Sequence, residues 1–168
     1  MKKLIYFSIL SVTFLCVVLI FLAPILLHFK SKYGFLIYFI FSPLCHQIPE
    51  RSFHIFGFQL AVCSRCTGIY LGLFIGSIFY PFFSSLKRQK LPPLKFFIFL
   101  AFPMGIDVFG NILNLWISPN IIRFFTGFIF GVILPFYLIS GIMDLGEMKL
   151  NFNRNFIKAK NENKTSNF

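Results

Sequence analysis

The sequence predicts an all-α fold: an integral membrane helical bundle of four transmembrane helices with a short interfacial or re-entrant helix. Three observations point there. Apolar residues fill 57% of 168 positions, 27 of them Phe, and only five residues are acidic, so no water-facing surface of ordinary polarity can be built. Apolar runs of about 20 residues, the length that crosses the hydrocarbon layer, recur along the chain. The basic residues that set the net charge of +11 flank those runs and act as topology signals. They form no stripe interleaved with aromatics on a soluble surface, so no nucleic-acid partner is expected.

The elements follow in order within a membrane domain over 1–148. The first span, near 4–27, follows Lys2 and Lys3 and exceeds the apolar core of a signal peptide, which is about 7–15 residues. No small-x-small cleavage site follows it, so a retained helix is expected. Cys16 lies among Phe14, Leu15 and Val17 and reads as a small buried hydrophobe. An outer loop over 28–61 comes next. Its apolar stretch Tyr33 to Leu44 is about half a crossing long and meets Pro43, which predicts a short interfacial helix. Prolonging it into a fifth crossing would carry Glu50 and Arg51 into lipid unpaired. His28, beside Lys30 and Lys32, reads as an interface residue, and Gly57 permits a turn between Phe56 and Phe58. Further spans fit near 62–83, 94–116 and 124–145. The Asn- and Lys-rich segment 149–168 reads as a disordered basic cytoplasmic tail.

Orientation follows from the charges near the span ends. Lys2, Lys3, Lys87, Arg88, Lys90, Lys95, Lys149, Arg154, Lys158, Lys160 and Lys164 share one side, against Lys30, Lys32, Arg51, Arg65 and Arg123. Both termini are therefore expected in the cytoplasm, with the outer loop on the opposite face of a prokaryotic inner membrane.

Gly68, Gly72 and Gly76 recur every fourth residue and line one face of the second span, and Gly127 and Gly131 repeat the device in the fourth. Such faces let helix backbones approach closely, within the bundle or between copies in an oligomer. Pro103 and Pro135 are expected to kink the third and fourth spans.

Asp107 is costly inside an apolar span unless it is paired or hydrated, so it marks a site by default. Asn111 lies one turn beyond it. Counted from Lys95, Asp107 sits about 18 Å along its helix, in the outer half of the bilayer. Arg65 and Arg123 begin the second and fourth spans at that level, with Thr126 one turn deeper. The polar residues of three helices are therefore expected to converge, either as an internal ion pair that fixes register or as a buried polar pocket.

Cys45 and His46, sixteen residues, then Cys63-Ser64-Arg65-Cys66 concentrate the soft ligands of the chain in one stretch. Thiolate and imidazole are the preferred ligands of a tetrahedral zinc site, so a Cys3His centre holding zinc or iron at Cys45, His46, Cys63 and Cys66 is expected. His54 and Glu50 stand in the same loop, as a further ligand and as a general base near a metal-bound water. The rival chemistry is thiol–disulfide exchange. A Cys-x-x-Cys at a helix N-terminus gains thiolate character from the helix dipole and from Arg65, with Cys45 as a third sulfur and a quinone or isoprenoid ligand in an adjoining apolar groove. A structural disulfide or unreactive thiols are the third possibility.

The motifs CHQIPERSF and CSRCTGIYLG, then membrane Asp107, then Asn120 to Gly127 with Arg123 and the Thr126-Gly127 pair, resemble a family of small predicted bacterial and archaeal membrane proteins, the domain-of-unknown-function family numbered two-zero-eight-five. The resemblance spans about Cys45 to Gly131. It implies membership and no particular activity. This chain departs from the pattern at Val108, where a glycine is expected after the membrane Asp. The reading that results is a metal-binding multi-pass membrane protein in which Arg51, Arg65, Asp107, Asn111 and Arg123 form a polar pocket or second shell. A membrane thiol oxidoreductase and a non-catalytic structural protein are the alternatives.

Overall fold

A computed structural model describes the backbone of residues 2–83, 93–113 and 115–165, with side chains over residues 3–142 of that range and at Met148. Lys87, Arg88 and Lys90, which contribute to the expected orientation, lie outside the described residues. Among the described residues there are five α-helices: α1 (Lys2–His28), α2 (Lys32–Phe41), α3 (Ser64–Phe83), α4 (Leu94–Ile112) and α5 (Asn120–Thr165). A 3-10 turn at Pro49–Arg51 and a hairpin of β1 (His54–Ile55) and β2 (Phe58–Gln59) lie between α2 and α3. The hairpin adds a small antiparallel element to the expected all-helical class. Its turn uses left-handed Phe56 and Gly57, with φ of 53° and 81°.

Among the described residues, α1, α4 and the stretch Asn120–Ile142 of α5 are long and apolar enough to cross a membrane. The 20-residue α3 is not one of those three. It occupies the middle of the bundle. A Cβ on Gly68 would fall on the Phe124 carbonyl oxygen and 2.9 Å from Phe128 N; one on Gly72 would fall on the Phe128 carbonyl and 2.8 Å from Val132 N; one on Gly76 would meet the Val132 carbonyl and, at 3.1 Å, Pro135 Cγ. Reciprocally, Gly127 faces the Arg65 carbonyl and Gly131 that of Ile69. The partners advance in the same sense on both helices, so α3 and α5 run parallel. All five glycines are used in this one interface, the close van der Waals approach that drives association where apolar burial gives little.

α1 runs antiparallel to α3. Its beginning meets the end of α3, where the Tyr6 hydroxyl donates to the Ser77 carbonyl at 3.1 Å and the rings of Tyr6 and Tyr80 stack. Its last turns pack at the opposite end, where Ile20 and Ala23 join Ile37, Phe41, Cys45, Leu60, Ala61 and Val62 in the main core. Lys30, at φ 56°, stops α1 in a Schellman pattern, with Lys30 N–H donating to Leu27 O and Ser31 N–H to Leu26 O, both at 2.9 Å. The chain then turns back into α2, a 10-residue apolar helix too short to cross, at the place expected for the interfacial helix. Cys16 packs against this core as a half-buried side chain.

α4 differs from the others because it buries only Asp107 and Gly110. Phe96, Phe99, Phe102 and Phe109 on it are more than half exposed, a surface that suits lipid. It ends at Ile112, four residues before the expected limit, since Leu115 N–H turns back to the Gly110 carbonyl at 2.9 Å and Trp116 lies against Gly110 with its Cη2 2.6 Å from where a Cβ would be. That glycine, rather than one at 108, takes the close contact. α5 starts at Asn120, ahead of the expected 124, which puts Arg123 inside its first turn. Pro24, Pro81, Pro103 and Pro135 lie within helices that run on past them. α5 also continues as helix to Thr165, where a disordered tail is expected from composition. Once nucleated, a helix extends at little cost per residue, and no Pro or Gly interrupts it after Gly146.

Candidate metal centre

The site is assembled by a loop and the first turn of α3. After α2, Cys45 N–H bonds back to the Phe41 carbonyl at 3.0 Å, and Gln47 adopts a left-handed conformation with φ of 50°. From there its Nε2 donates to the Tyr38 carbonyl at 2.7 Å and the Ala61 carbonyl at 2.9 Å. Those two bonds tie the end of α2 to the strand that leads into Cys63. The Tyr38 hydroxyl adds a further tie by donating to the Gln59 carbonyl. Cys45 thus points into the core, 6% exposed.

The sulfurs of Cys45, Cys63 and Cys66 lie within 4.8 Å of one another. Those of Cys63 and Cys66 are 3.5 Å apart, and Cys63 N–H donates to the Cys45 sulfur at 3.2 Å. All are free thiols. They share protons unequally. Hydrogen bonding to the Cys63 sulfur, with burial, holds the Cys45 thiol above the ordinary thiol range, while hydrogen bonds from Cys45 and Cys66 hold Cys63, just ahead of α3, far below it. Cys63 is therefore the sulfur that ionises first, at a helix N-terminus that favours the anion. Sulfurs this close match a tetrahedral thiolate site, whose bonds of about 2.3 Å set neighbouring sulfurs about 3.8 Å apart.

The close-set group is three sulfurs, not the expected Cys3His set. With Cys45 turned inward, its neighbour His46 turns outward, exposed, onto the wall of a cavity of about 300 Å³ beside the sulfurs. Arg51, Arg65, Asn111 and Arg123 line the same cavity. His54 is exposed at the start of β1, and His28 is exposed and stacks on Phe56 at 4.8 Å. Glu50 lies on an adjoining recess with Arg51.

Behind the cavity the polar residues of α3, α4 and α5 converge. Arg65 donates to Asp107 Oδ2 in the one ion pair among the described residues. Ser118 donates to Asp107 Oδ1, Asn111 Nδ2 donates to Ser118 Oγ at 2.8 Å and to the Asp107 carbonyl at 2.6 Å, and Arg123 donates to Asn111 Oδ1 at 2.7 Å. Thr126 bonds back to the Ile122 and Arg123 carbonyls and takes no part. Asn120 Nδ2 reaches the Glu50 and Ser52 carbonyls, both at 3.3 Å, and so holds the 3-10 turn bearing Arg51 against the start of α5.

Gln47 and Ser118 are the contributors to which the sequence reading gives no role, and Asn120 enters it only as the first residue of the motif that runs to Gly127. Gln47 is legible only as the third letter of the Cys-His-Gln motif, and Ser118 precedes Pro119 in what reads as an ordinary loop.

Comparison with known proteins finds relatives of no assigned activity. The chain is 40% identical over 146 residues to an uncharacterised protein of Methanocaldococcus jannaschii, covering 83% of this chain and 92% of that one. It is 39% identical over 92 residues to an uncharacterised protein of Methanothermobacter thermautotrophicus, covering 55% and 81%. No solved structure matches. A family model matches residues 45–137, from the first cysteine of the sulfur triad into the middle of α5, and the chain belongs to that family, described as "Predicted membrane protein (DUF2085)".

Proposed function

We propose that this membrane protein holds a soft metal ion, zinc or iron, on the thiolates of Cys45, Cys63 and Cys66 at the outer mouth of a four-crossing bundle. The observation that carries the reading is the approach of three sulfurs from two separate stretches to within 4.8 Å. Three protein ligands leave a fourth position. His46, which lines the cavity beside the sulfurs, or an external ligand would complete the coordination, and the ion would act on that ligand as a Lewis acid. Arg51, Arg65, Asp107, Asn111 and Arg123 supply charge and hydrogen bonds around it.

The fourth crossing is α3, on the strength of its backbone contact with α5 from Gly68 to Gly76: a helix laid parallel against an apolar spanning helix is carried through with it. Eleven of the sixteen cationic residues favour cytoplasmic termini in a prokaryotic inner membrane, with the thiols on the outer side.

Metal analysis of the detergent-purified full chain tests the reading. About one zinc or iron per chain is expected in the wild type and none in a Cys63→Ser/Cys66→Ser variant. A folded wild type that neither purifies with zinc or iron nor takes them up refutes it.

A second reading, a thiol–disulfide oxidoreductase, draws on the 3.5 Å separation of the Cys63 and Cys66 sulfurs. Joining them releases two electrons and two protons, which a quinone in an adjoining apolar groove would take up as quinol, with Cys45 able to form a mixed disulfide. Mass mapping of a reductant-sensitive Cys63–Cys66 bond in membranes would favour it. A folded, metal-free protein with unreactive thiols would leave the structural role.

A further inference from the structure

We propose that the cavity beside the sulfur triad is a binding site for a phosphoryl group. Three guanidinium groups reach it from three different elements: Arg51 from the 3-10 turn, Arg65 from α3 and Arg123 from α5. Among the described residues no carboxylate lines it. Asp107 neutralises one of the three through Arg65. Two of the three guanidinium groups are therefore left without a carboxylate partner among the described residues. Glu50 faces Arg51 from the adjoining recess, but it is exposed and its charge is screened by water.

Arg123 makes the need for a ligand specific. It is only 5% exposed, and among the described residues its one hydrogen-bonding side-chain partner is a neutral amide, Asn111, and its buried Nε has no partner. Arg65 Nε is in the same condition. A buried guanidinium without a counter-charge is expensive, and its planar fork matches oxyanions bidentately. A carboxylate offers two oxygens, which satisfy one fork. A phosphoryl group offers three terminal oxygens, enough to engage three guanidiniums from three directions. The volume of about 300 Å³ leaves room for whatever the phosphoryl group is attached to. The rim includes Leu44, 66% exposed, so an amphiphile's phosphate headgroup and free phosphate share the chemistry this site recognises.

The inference goes beyond the metal reading, since the donors it uses are guanidinium groups and not the ion. Calorimetric titration of the full-length protein in detergent, with and without added zinc, separates the cases. The probes are inorganic phosphate, dihexanoyl phosphatidic acid and, as a control for the tails, dihexanoyl phosphatidylcholine. Saturable binding of at least one phosphomonoester or phosphate probe is expected, with no binding of the choline lipid. Comparable binding of both assigns free phosphate, and binding of the lipid alone assigns a headgroup. Arg51→Gln changes an exposed residue outside the helices and should weaken binding about tenfold or more, as loss of a charge-assisted bond does. Arg123→Gln should do the same, and if that variant does not fold, Arg51→Gln decides. Absence of binding to the folded wild type, or equal binding by Arg51→Gln, overturns the inference. In Cys63→Ser/Cys66→Ser, retained phosphate binding supports it even where metal is lost, whereas loss there with Arg51→Gln unaffected overturns it by moving the phosphate onto the sulfur-bound ion.

Discussion

Gly72→Ala tests the feature on which the rest of the bundle depends. The added methyl would sit on the Phe128 carbonyl oxygen, 2.8 Å from Val132 N and 2.9 Å from Gly131 C. All three are backbone atoms, so no side chain can rotate away. Restoring ordinary contact of at least about 3.4 Å requires α3 and α5 to part by roughly 0.5–1 Å, a gap that forfeits about a quarter to a half of each dispersion contact across the seam. Overpacking of this kind costs about 1–3 kcal/mol. The matched control is Gly105→Ala in α4, where nothing lies within 4 Å of the new methyl. There the helix propensity of Ala should leave stability unchanged or raise it by about 0.5–1 kcal/mol. Unfolding of both variants in mixed micelles with increasing SDS, followed by circular dichroism, gives the difference directly. Equal midpoints would refute the backbone contact between α3 and α5 and with it the placement of Arg65 beside Arg123.

Two further predictions follow from the site. Gln47→Ala removes the bonds to the Tyr38 and Ala61 carbonyls, so Cys45 should loosen from Cys63, and zinc affinity in a chromophoric-chelator competition should fall about tenfold or more with helix content unchanged; unaltered affinity would show that the turn does not position the sulfur. Asp107→Asn should destabilise the bundle by about 1–3 kcal/mol, because it leaves Arg65 without its counter-charge while 22% of that side chain still reaches solvent, and combining it with Arg65→Gln should cost at least about 1 kcal/mol less than the sum of the two changes, whereas additive costs in the same SDS titration would deny the pair any coupling.

Much of this architecture is legible in the sequence because lipid simplifies the rules. The four-residue spacing of Gly68, Gly72 and Gly76, and its echo at Gly127 and Gly131, announces a close helix pair because in hydrocarbon few other devices hold helices together. The cost of a lone Asp107 announces partners in the same way, and Arg65 and Asn111 are those partners. What stayed hidden depends on backbone conformation in the connections. Gln47 and Phe56 sit at positive φ, where non-glycine residues are uncommon and composition offers no cue. Without the turn at Gln47 the opposed directions of Cys45 and His46 cannot be foreseen, so two adjacent ligand types read as one chelate. Ser118 was hidden by a related cause. Its reach to Asp107 follows from α4 ending at Ile112 and the chain folding back on Gly110, and the apolar run through Trp116 masks that stop.

The seam and the site are one construction. Gly127 can face the Arg65 carbonyl only if the first turns of α3 and α5 lie level, and Arg123 stands one turn before Gly127 on its own helix. The glycine contact that lets the two backbones touch therefore also brings two guanidinium groups to the same end of the pair, where like charges repel. Asp107 relieves part of that repulsion, and in doing so it gives α4, which buries only Asp107 and Gly110, its main polar attachment to the other helices. A bundle needing only stability would gain by exchanging such a buried charge cluster for apolar side chains. Retaining Arg123 with a neutral partner and an unused Nε makes sense when an anion completes the set, and the same parallel seam that brings the guanidinium groups together sets them beside three thiols.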